Sequence, residues 1–144
     1  MKISTKGRYA VRMMLDIALH DEGEPVRIRD ISARQGISLK YLEQIISSLV
    51  RADYLQSIRG PQGGYHLSRP PREYTVGSIL RVTEGSLACV ECLSAEQNPC
   101  SRADTCVTLR LWEELDKAVS SVVDRYTLED LMQWSSAEAD NYYI

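Results

Sequence analysis

Residues 28–50 read IRDISARQGISLKYLEQIISSLV and have the pattern of two helices joined by a tight turn. The first, short helix is predicted to end at Gly36, and it is lined by Ile28, Ile31 and Ala33. Ser38 is a suitable N-cap for the second helix. The apolar stripe of that helix is Leu39, Leu42, Ile45, Ile46, Leu49 and Val50. Together these elements predict a helix-turn-helix, a pattern that some helical hairpins without DNA-binding activity share.

The next segment, YLQSIRGPQGGYHLS at residues 54–68, has two short β-prone runs around a loop of glycine and proline. This predicts a β-hairpin, and a hairpin directly after a helix-turn-helix is a wing. The glycines let the loop backbone approach another polymer closely, and Arg59 can reach a phosphate or a narrow minor groove. A purely structural hairpin is the alternative interpretation.

Further helices are predicted on both sides of this unit from apolar spacing and caps. They are a first helix over residues 8–20, a short helix capped by Thr75, a helix of about 17 residues from Leu109, and a last short helix capped by Thr127. Residues 84–107 show no periodicity and are predicted to form a long loop. Loops of that length inside a compact domain are usually functional.

The helix that starts at Leu109 has a continuous apolar stripe and a charged opposite face. The stripe consists of Leu111, Trp112, Leu115, Ala118, Val119, Val122, Val123 and Tyr126. Such a stripe requires a packing partner, and the chain has few other apolar faces to supply one. We therefore favour a dimerisation helix over a helix packed only within its own domain.

These elements predict a mainly α fold with a small β-hairpin wing: a winged helix-turn-helix plus a long dimerisation helix. A chain of 144 residues has the length of one compact domain. Within it we distinguish residues 1–72, the winged helix-turn-helix; residues 73–107, a short helix and a cysteine-bearing loop; and residues 108–144, the dimerisation helix and C-terminal tail.

The charge of the chain is divided unevenly between its halves. The formal net charge of −3 argues against a nucleic-acid partner when it is taken as a whole. Residues 1–72, however, hold 12 lysines and arginines against 7 acidic residues, whereas residues 73–144 hold 5 against 13. This asymmetry predicts a basic half that faces an anion and an acidic half with another role.

The second helix of the pair is predicted to read DNA with its polar face. Gln44 suits adenine, Lys40 suits guanine or phosphate, and Tyr41 suits a phosphate or a thymine methyl. Glu43 would discriminate between sites rather than add affinity. An ordinary solvated helix face is the alternative. The full set of candidate DNA-contacting residues is Lys2, Thr5, Lys6, Arg8, Ser38, Lys40, Tyr41, Glu43, Gln44, Arg59, Gly60, Pro61 and Gln62.

The four cysteines lie within 18 residues, as Cys89-x2-Cys92-x7-Cys100-x5-Cys106. Clustered cysteines in a cytosolic protein indicate a metal or redox site before a structural disulfide. The irregular spacing favours an iron–sulfur cluster over a zinc knuckle. Zinc, thiol–disulfide sensing and incidental cysteines are the alternatives.

Several motifs of the chain resemble those of one family, the iron–sulfur cluster regulator (IscR) group of bacterial winged-helix repressors. They are Lys6-Gly7-Arg8-Tyr9-Ala10-Val11, Gly36-Ile37-Ser38 with Tyr41-Leu42-Glu43-Gln44, Arg59-Gly60-Pro61 with Gly63-Gly64-Tyr65, and Cys92, Cys100 and Cys106 followed by Trp112. The resemblance implies a homodimer with crossing long helices. It also implies a cluster on the loop, with a two-iron centre favoured over a four-iron one, whose state sets the affinity for an operator.

The chain departs from that family where a fourth cluster ligand is expected. Leu109 stands where two-iron regulators have a histidine, and Arg8 stands where nitric-oxide-sensing relatives have an acidic residue from the other subunit. The fourth ligand is therefore open. Cys89 is the first candidate, and Glu91 or a group of the partner subunit are the others.

The C-terminal tail resembles instead the related cysteine-metabolism repressor (CymR), in Thr127-Leu128-Glu129-Asp130-Leu131 and in Tyr143-Ile144. That relative works with O-acetylserine thiol-lyase, whose active site accepts a C-terminal isoleucine carboxylate. The resemblance implies that Ile144 docks there; a frayed tail is the alternative.

These observations predict a cytoplasmic, homodimeric transcriptional regulator, a repressor, that binds double-stranded operator DNA and senses iron–sulfur or redox status. We find no signal peptide and no transmembrane run, so no membrane role is expected. No catalytic motif is present, so no enzyme is expected. The alternatives are a cluster-free regulator of cysteine metabolism, acting through the thiol-lyase or thiol oxidation, and a small redox carrier without a DNA role.

Overall fold

The computed structural model describes residues 2–141, which form six α-helices and one antiparallel hairpin. The helices are α1 (Thr5–His20), α2 (Ile28–Gln35), α3 (Leu39–Arg51), α4 (Val76–Glu84), α5 (Leu109–Val123) and α6 (Leu128–Asn141). The strands are β1 (Leu55–Ile58) and β2 (Gly64–Leu67). Single 3₁₀ turns lie at Pro71–Glu73, Glu91–Leu93 and Ala103–Thr105. The predicted winged helix-turn-helix fold is confirmed.

The turn between α2 and α3 is built by local contacts that the sequence predicts. Gly36 has φ 64° and ψ 36°, a left-handed conformation that glycine adopts without a steric cost, and its N–H donates to the carbonyl of Ser32 at 2.9 Å. The Ser38 hydroxyl accepts the backbone N–H of Tyr41 at 3.2 Å. The turn therefore satisfies the end of one helix and the start of the next.

The wing is joined to the segment before α2. Its two strands pair from Leu55 opposite Leu67 to Ile58 opposite Gly64. Val26 adds a further antiparallel bridge, since its N–H donates to the Tyr65 carbonyl at 3.0 Å and its carbonyl accepts the Tyr65 N–H at 2.9 Å. The hairpin is thus tied at its base to the helix pair.

A single hydrophobic core lies beneath α1, α3 and α4. Its fully buried members include Met13, Met14, Ile17, Ile31, Leu42, Ile45, Leu49, Leu55, Tyr74, Ile79 and Leu128. The Tyr74 hydroxyl donates to the carbonyl of Tyr54 at 2.8 Å and accepts the N–H of Arg69 at 2.9 Å. Burial raises the pKa of Tyr74. The core therefore draws on residues from both halves of the chain.

Three residues that we assigned to buried helix faces lie at the surface. Leu39 is 40% exposed and Val50 is 37% exposed, at the two ends of the α3 stripe, and Ala33 on α2 is also exposed. The reason is geometric for α3: the core is deepest under the middle of the helix, so the first and last turns extend beyond it.

The charged residue Asp16 lies inside this core and fixes α2 against α1. Its carboxylate accepts hydrogen bonds from Arg34 Nη2 at 2.7 Å, Arg34 Nε at 3.0 Å and Gln35 Nε2 at 2.8 Å. The same pair raises the pKa of Arg34, chiefly through the hydrogen bond to Asp16. With its oxygens satisfied, the buried carboxylate holds the angle between the two helices.

The C-terminal helices are more open than the rest of the fold. Among the described residues, α5 has no fully buried member. The last helix, α6, extends over 14 residues, so our expectation of a short final helix was wrong. Glu138 to Asn141 continue the helix instead of forming a tail, while Ile144 lies outside the described residues.

Candidate DNA-binding surface and cysteine loop

The outer face of α3 presents most of the polar residues predicted to read DNA. Ser38, Lys40, Glu43 and Gln44 are exposed there, and Ser47, which is not in the predicted set, is exposed beside them. Tyr41 differs from them because it is half-buried. Its ring packs edge-on against the ring of Tyr9, with 5.6 Å between the ring centroids. The exposed Leu39 takes a place on this face that we had assigned to the core.

The wing tip carries its four candidate residues at the surface. Arg59, Gly60, Pro61 and Gln62 are all exposed, and the tip closes through the Gly63 N–H, which donates to the Gly60 carbonyl at 2.9 Å. Gln62 accepts a hydrogen bond from Arg27 Nη2, so the tip is also tied to the entrance of α2.

The start of α1 supplies the remaining candidates. Lys2, Thr5 and Arg8 are exposed, and Lys6 is half-buried. Arg8 Nη2 donates to the Thr5 hydroxyl at 3.3 Å. These side chains lie on the first turn and just before it, so their positions depend on how that turn is held.

A groove of about 380 Å³ runs between α3 and the wing and is lined by Glu43, Ile46, Ser47, Val50, Arg51, Ser57 and Tyr65. A second one, of about 340 Å³, continues past Ser57 and Tyr65 to Arg27, Arg29, Gly60 and Pro61. The helix and the wing therefore border one continuous surface. We did not predict Arg27 and Arg29 as part of it, although two arginines just before and within α2 were a usable signal.

This surface has the chemistry of a DNA-reading element. Short polar, amide and cationic groups on the first turns of α3 are the groups that meet base edges and phosphates in the major groove. Exposed arginines on both sides of the wing add sequence-independent attraction to phosphates.

The four cysteines all follow α4 and are free thiols. Cys89 and Cys92 are half-buried, whereas Cys100 and Cys106 are exposed. Cys89 Sγ donates to the carbonyl of Trp112 on α5 at 3.5 Å. Within residues 2–141, no three cysteine, histidine or acidic side chains are close enough together to hold a metal ion. The thiols thus share a loop without being gathered at one point.

Cys106 differs from the other thiols in its electrostatic environment. Its sulfur lies 3.5 Å from the Thr108 hydroxyl, and this hydrogen bond, with smaller contributions from the backbone N–H groups of Leu109 and Thr108 and from the charge of Arg102, lowers the pKa of Cys106. A lowered pKa increases the thiolate form, which is the form that binds metals and reacts with electrophiles.

The positions considered for a fourth ligand lie in different places. Glu91 is exposed and accepts a hydrogen bond from the Ser94 hydroxyl at 3.3 Å, while Leu109 is half-buried at the start of α5. Arg8 lies on α1 and is engaged with Thr5. Cys89, the first candidate, differs from these three residues because its thiol contacts α5.

The apolar stripe of α5 divides into two rows. Trp112, Val119 and Val123 are half-buried and face the body of the protein. Leu111, Leu115, Ala118 and Val122, spaced by four, three and four residues, are exposed, at 58%, 40% and 48% for Leu111, Leu115 and Val122. Val107, which lies in the turn before α5 and follows Cys106 directly, is 92% exposed.

No helix in the part of the chain that the structure describes combines the length and the apolar character needed to cross a membrane.

Comparison with known proteins identifies relatives over nearly the whole chain. A family model described as "Rrf2: Iron-dependent Transcriptional regulator" matches residues 3–134. The HTH-type transcriptional regulator IscR of Aliivibrio salmonicida is 45% identical over 132 residues, which cover 92% of this chain and 77% of that protein.

Two solved structures share the fold. CymR (YrzC), the global cysteine regulator of B. subtilis, superposes with a TM-score of 0.76 and 39% identity, covering 93% of this chain and 98% of that one. T. potens IscR superposes with the same TM-score and 41% identity, covering 94% and 88%.

Proposed function

Because the chain belongs to the Rrf2 family of transcriptional regulators, it acts on transcription by binding DNA, and we propose that it does so as a homodimer that responds to an iron–sulfur cluster. The winged helix of residues 1–72 contacts an operator, the loop within 73–107 holds the cluster, and residues 108–144 make the dimer. We also propose a cytoplasmic location, where a bacterial transcriptional regulator meets its DNA.

The main support for this DNA-binding surface is that α3 and the wing border one continuous groove. The helix borders it through Glu43 and Ser47, and the wing through Ser57 and Tyr65. Gln44 and Lys40 on the helix and Arg59 on the wing are exposed. A helix in the major groove and a wing over the adjacent backbone need this relative placement. Glu43 repels phosphates and so favours some sites over others.

The dimer is supported by the exposed row of Leu111, Leu115 and Val122 on α5. These side chains repeat along one face, and the neighbouring row of Trp112, Val119 and Val123 is already half-buried against the protein's own domain. A second copy of the same helix is a partner of matching length and spacing. Two recognition helices can then meet half-sites about 34 Å apart.

Leu115→Asp tests the dimer, because a charge at the centre of an apolar contact is strongly unfavourable. Sedimentation velocity should show a monomer for this variant at concentrations where the unaltered protein is dimeric, and DNA affinity should fall with it. Lys117→Asp makes a larger charge change on the polar face of α5 and should remain dimeric. A dimeric Leu115→Asp protein would contradict the assignment.

We assign the cluster ligands to Cys92, Cys100 and Cys106, with Cys89 as the fourth candidate. Chemically the donor set fits, since all four are free thiols on one loop and the pKa of Cys106 is lowered. A bound cluster would supply a centre whose own iron can be gained, lost or oxidised. The loop that carries the ligands starts at α4 and ends at α5, so its conformation bears on both helices. The IscR relatives support a cluster, and we propose the two-iron type.

Anaerobic purification with an absorption spectrum and assays of iron and sulfide tests this assignment. The unaltered protein should be coloured and contain iron and sulfide in equal amounts, and Cys92→Ser should lose both. Cys89→Ser separates the candidate fourth ligand from the other three, and Ser94→Ala, a neighbour in the loop, is the control. A colourless, iron-free protein that binds its operator normally would refute the cluster.

That last outcome would favour a second candidate function, a cluster-free regulator of cysteine metabolism. Two observations support it: the similarity to CymR over 93% of the chain, and thiols that are free and not gathered at one point in the described residues. Docking of the Ile144 carboxylate on O-acetylserine thiol-lyase stays a prediction. Capture of that enzyme by the full chain but not by a chain lacking Ile144 would support it, and equal capture would exclude it.

A further inference from the structure

Glu84, the last residue of α4, is hydrogen-bonded to the N-terminus of α1. The backbone N–H of Ser4 donates to Glu84 Oε1 at 3.0 Å, and the Ser4 hydroxyl donates to the same oxygen. The oxygen of that hydroxyl accepts the backbone N–H of Gly7 at 3.1 Å, as the N-cap of α1. The carboxylate therefore extends the cap and places a negative charge at the positive end of the helix.

Gly7 leaves the space that Glu84 occupies. A Cβ atom at position 7 would lie 2.2 Å from Glu84 Oε1 and 3.2 Å from Leu80 Cδ2. A side chain as small as alanine would therefore displace the carboxylate from the cap. The close contact between α4 and α1 at this point therefore depends on the absence of a side chain at Gly7.

The cysteine loop begins at the residue after Glu84. Gly85 has φ 77° and ψ −125°, a conformation that is open to glycine and strained for other residues. Ser86, Leu87 and Ala88 share a cavity of about 90 Å³ with Lys2, Ile3 and Glu84. The first residues of the loop thus border the segment that precedes α1.

The other side of α4 is joined to α5. Arg81 donates to both carboxylate oxygens of Asp124, at 2.6 and 2.9 Å, just after the last residue of α5. The loop leaves from α4 and returns to α5, so this ion pair joins the two helices between which the loop runs. Glu84 connects that unit to α1.

We propose that Glu84 is a positioning residue that transmits a change in the cysteine loop to the first turn of α1. That turn carries Thr5, Lys6 and Arg8, which we assign to DNA contacts. A movement of the loop at Gly85 shifts the adjacent carboxylate, and the cap of α1 shifts with it. The inference rests on the proposed function, since it requires that the loop senses a signal and that α1 contacts DNA.

The test compares two loop states of the full-length protein: metal-free, and reconstituted anaerobically with ferric iron and sulfide. The probe is a DNA duplex selected by the unaltered protein from a random library. The unaltered protein should bind this duplex with dissociation constants that differ between the states by about 5-fold or more. Hydrogen exchange of the amides at positions 5–8 should differ as well.

Glu84→Gln removes the charge and retains the shape, while Gly7→Ala retains the carboxylate and removes its space. Both should take up iron normally but show less than about a 2-fold difference in affinity between the states, and no difference in exchange at positions 5–8. Glu73→Gln, the same change at an exposed position on the 3₁₀ turn before α4, should behave as the unaltered protein does. If Glu84→Gln folds poorly, Gly7→Ala still decides, because alanine favours the helix.

The possible failures can be told apart. A Glu84→Gln or Gly7→Ala protein that retains the full difference between the states overturns the transmission role and leaves the proposed function intact. Loss of iron uptake in either variant also overturns it, because the residue then acts on the cluster itself. If the unaltered protein binds the duplex equally in both states, the sensing function fails, and the transmission role fails with it.

Discussion

The winged helix and the loop–α5 region differ in how much of their apolar surface is buried within the chain. In the winged helix, α1 and α3 bury Met13, Ile17, Leu42 and Ile45 against each other, and the buried charge of Asp16 is fully hydrogen-bonded. In α5 no residue is fully buried, and one apolar row faces outward. The first region is complete within one chain, whereas the second leaves apolar side chains at the surface, which in our proposal a second copy covers.

Among the residues that the structure describes, Tyr74 and Cys106 are the groups other than arginine whose pKa is shifted, and they show the same contrast. Burial raises the pKa of Tyr74 in the core, and a hydrogen bond from an exposed hydroxyl lowers the pKa of Cys106 on the loop. Burial thus favours the neutral form of Tyr74 in the core. The Thr108 hydroxyl favours the thiolate form of Cys106, at a position that solvent reaches. The protein thus combines a well-buried core with a loop whose Cys106 thiol is exposed.

The largest effect is expected from a cavity in the winged helix. Leu42→Ala should lower the free energy of unfolding by about 2–5 kcal/mol, because Leu42 is fully buried. Leu39→Ala, on the same helix but at a side chain 40% exposed, should cost less than about 1 kcal/mol. Urea unfolding at equal protein concentrations measures both. Similar losses for the two variants would mean that α3 is not anchored at its middle.

A smaller effect is expected at the DNA surface, where the two sources of binding can be separated. Gln44→Ala should relax the preference for one base by about 1–3 kcal/mol, and Lys6→Ala should lower the slope of affinity against salt concentration by about one. Binding to the selected duplex and its single-base variants, over a series of salt concentrations, measures both. Equal and sequence-independent losses would defeat the assignment of α3 as the reading helix.

The smallest effect is expected at the thiol of Cys106 in the metal-free protein. Because its pKa is lowered, mainly by the Thr108 hydroxyl, alkylation by iodoacetamide should reach half of its maximal rate at a lower pH than in Thr108→Val. Thr105→Val removes a neighbouring hydroxyl that donates to the Arg102 carbonyl, and should leave the profile unchanged. Peptide mass spectrometry follows the site. Coinciding profiles for the unaltered protein and Thr108→Val would remove this distinction between the regions.

The sequence alone was sufficient for features that neighbouring residues decide. The cap at Ser38, the left-handed Gly36, the hairpin around Gly60 and the helices that start after Thr75 and Thr108 follow from local hydrogen bonds, backbone preferences and apolar spacing. The division of charge at residue 72 predicts which half faces DNA, and that assignment stays a prediction.

The tertiary structure decided what depends on contacts between distant residues. It showed which apolar row of α5 packs on the domain and which remains exposed, that Leu39 and Val50 extend beyond the core, and that Arg27 reaches the wing. It also brought Glu84 to Gly7, 77 positions apart, because α4 and α1 pack closely there. Periodicity says that a face is apolar or polar, but the packing of the whole chain determines what that face meets.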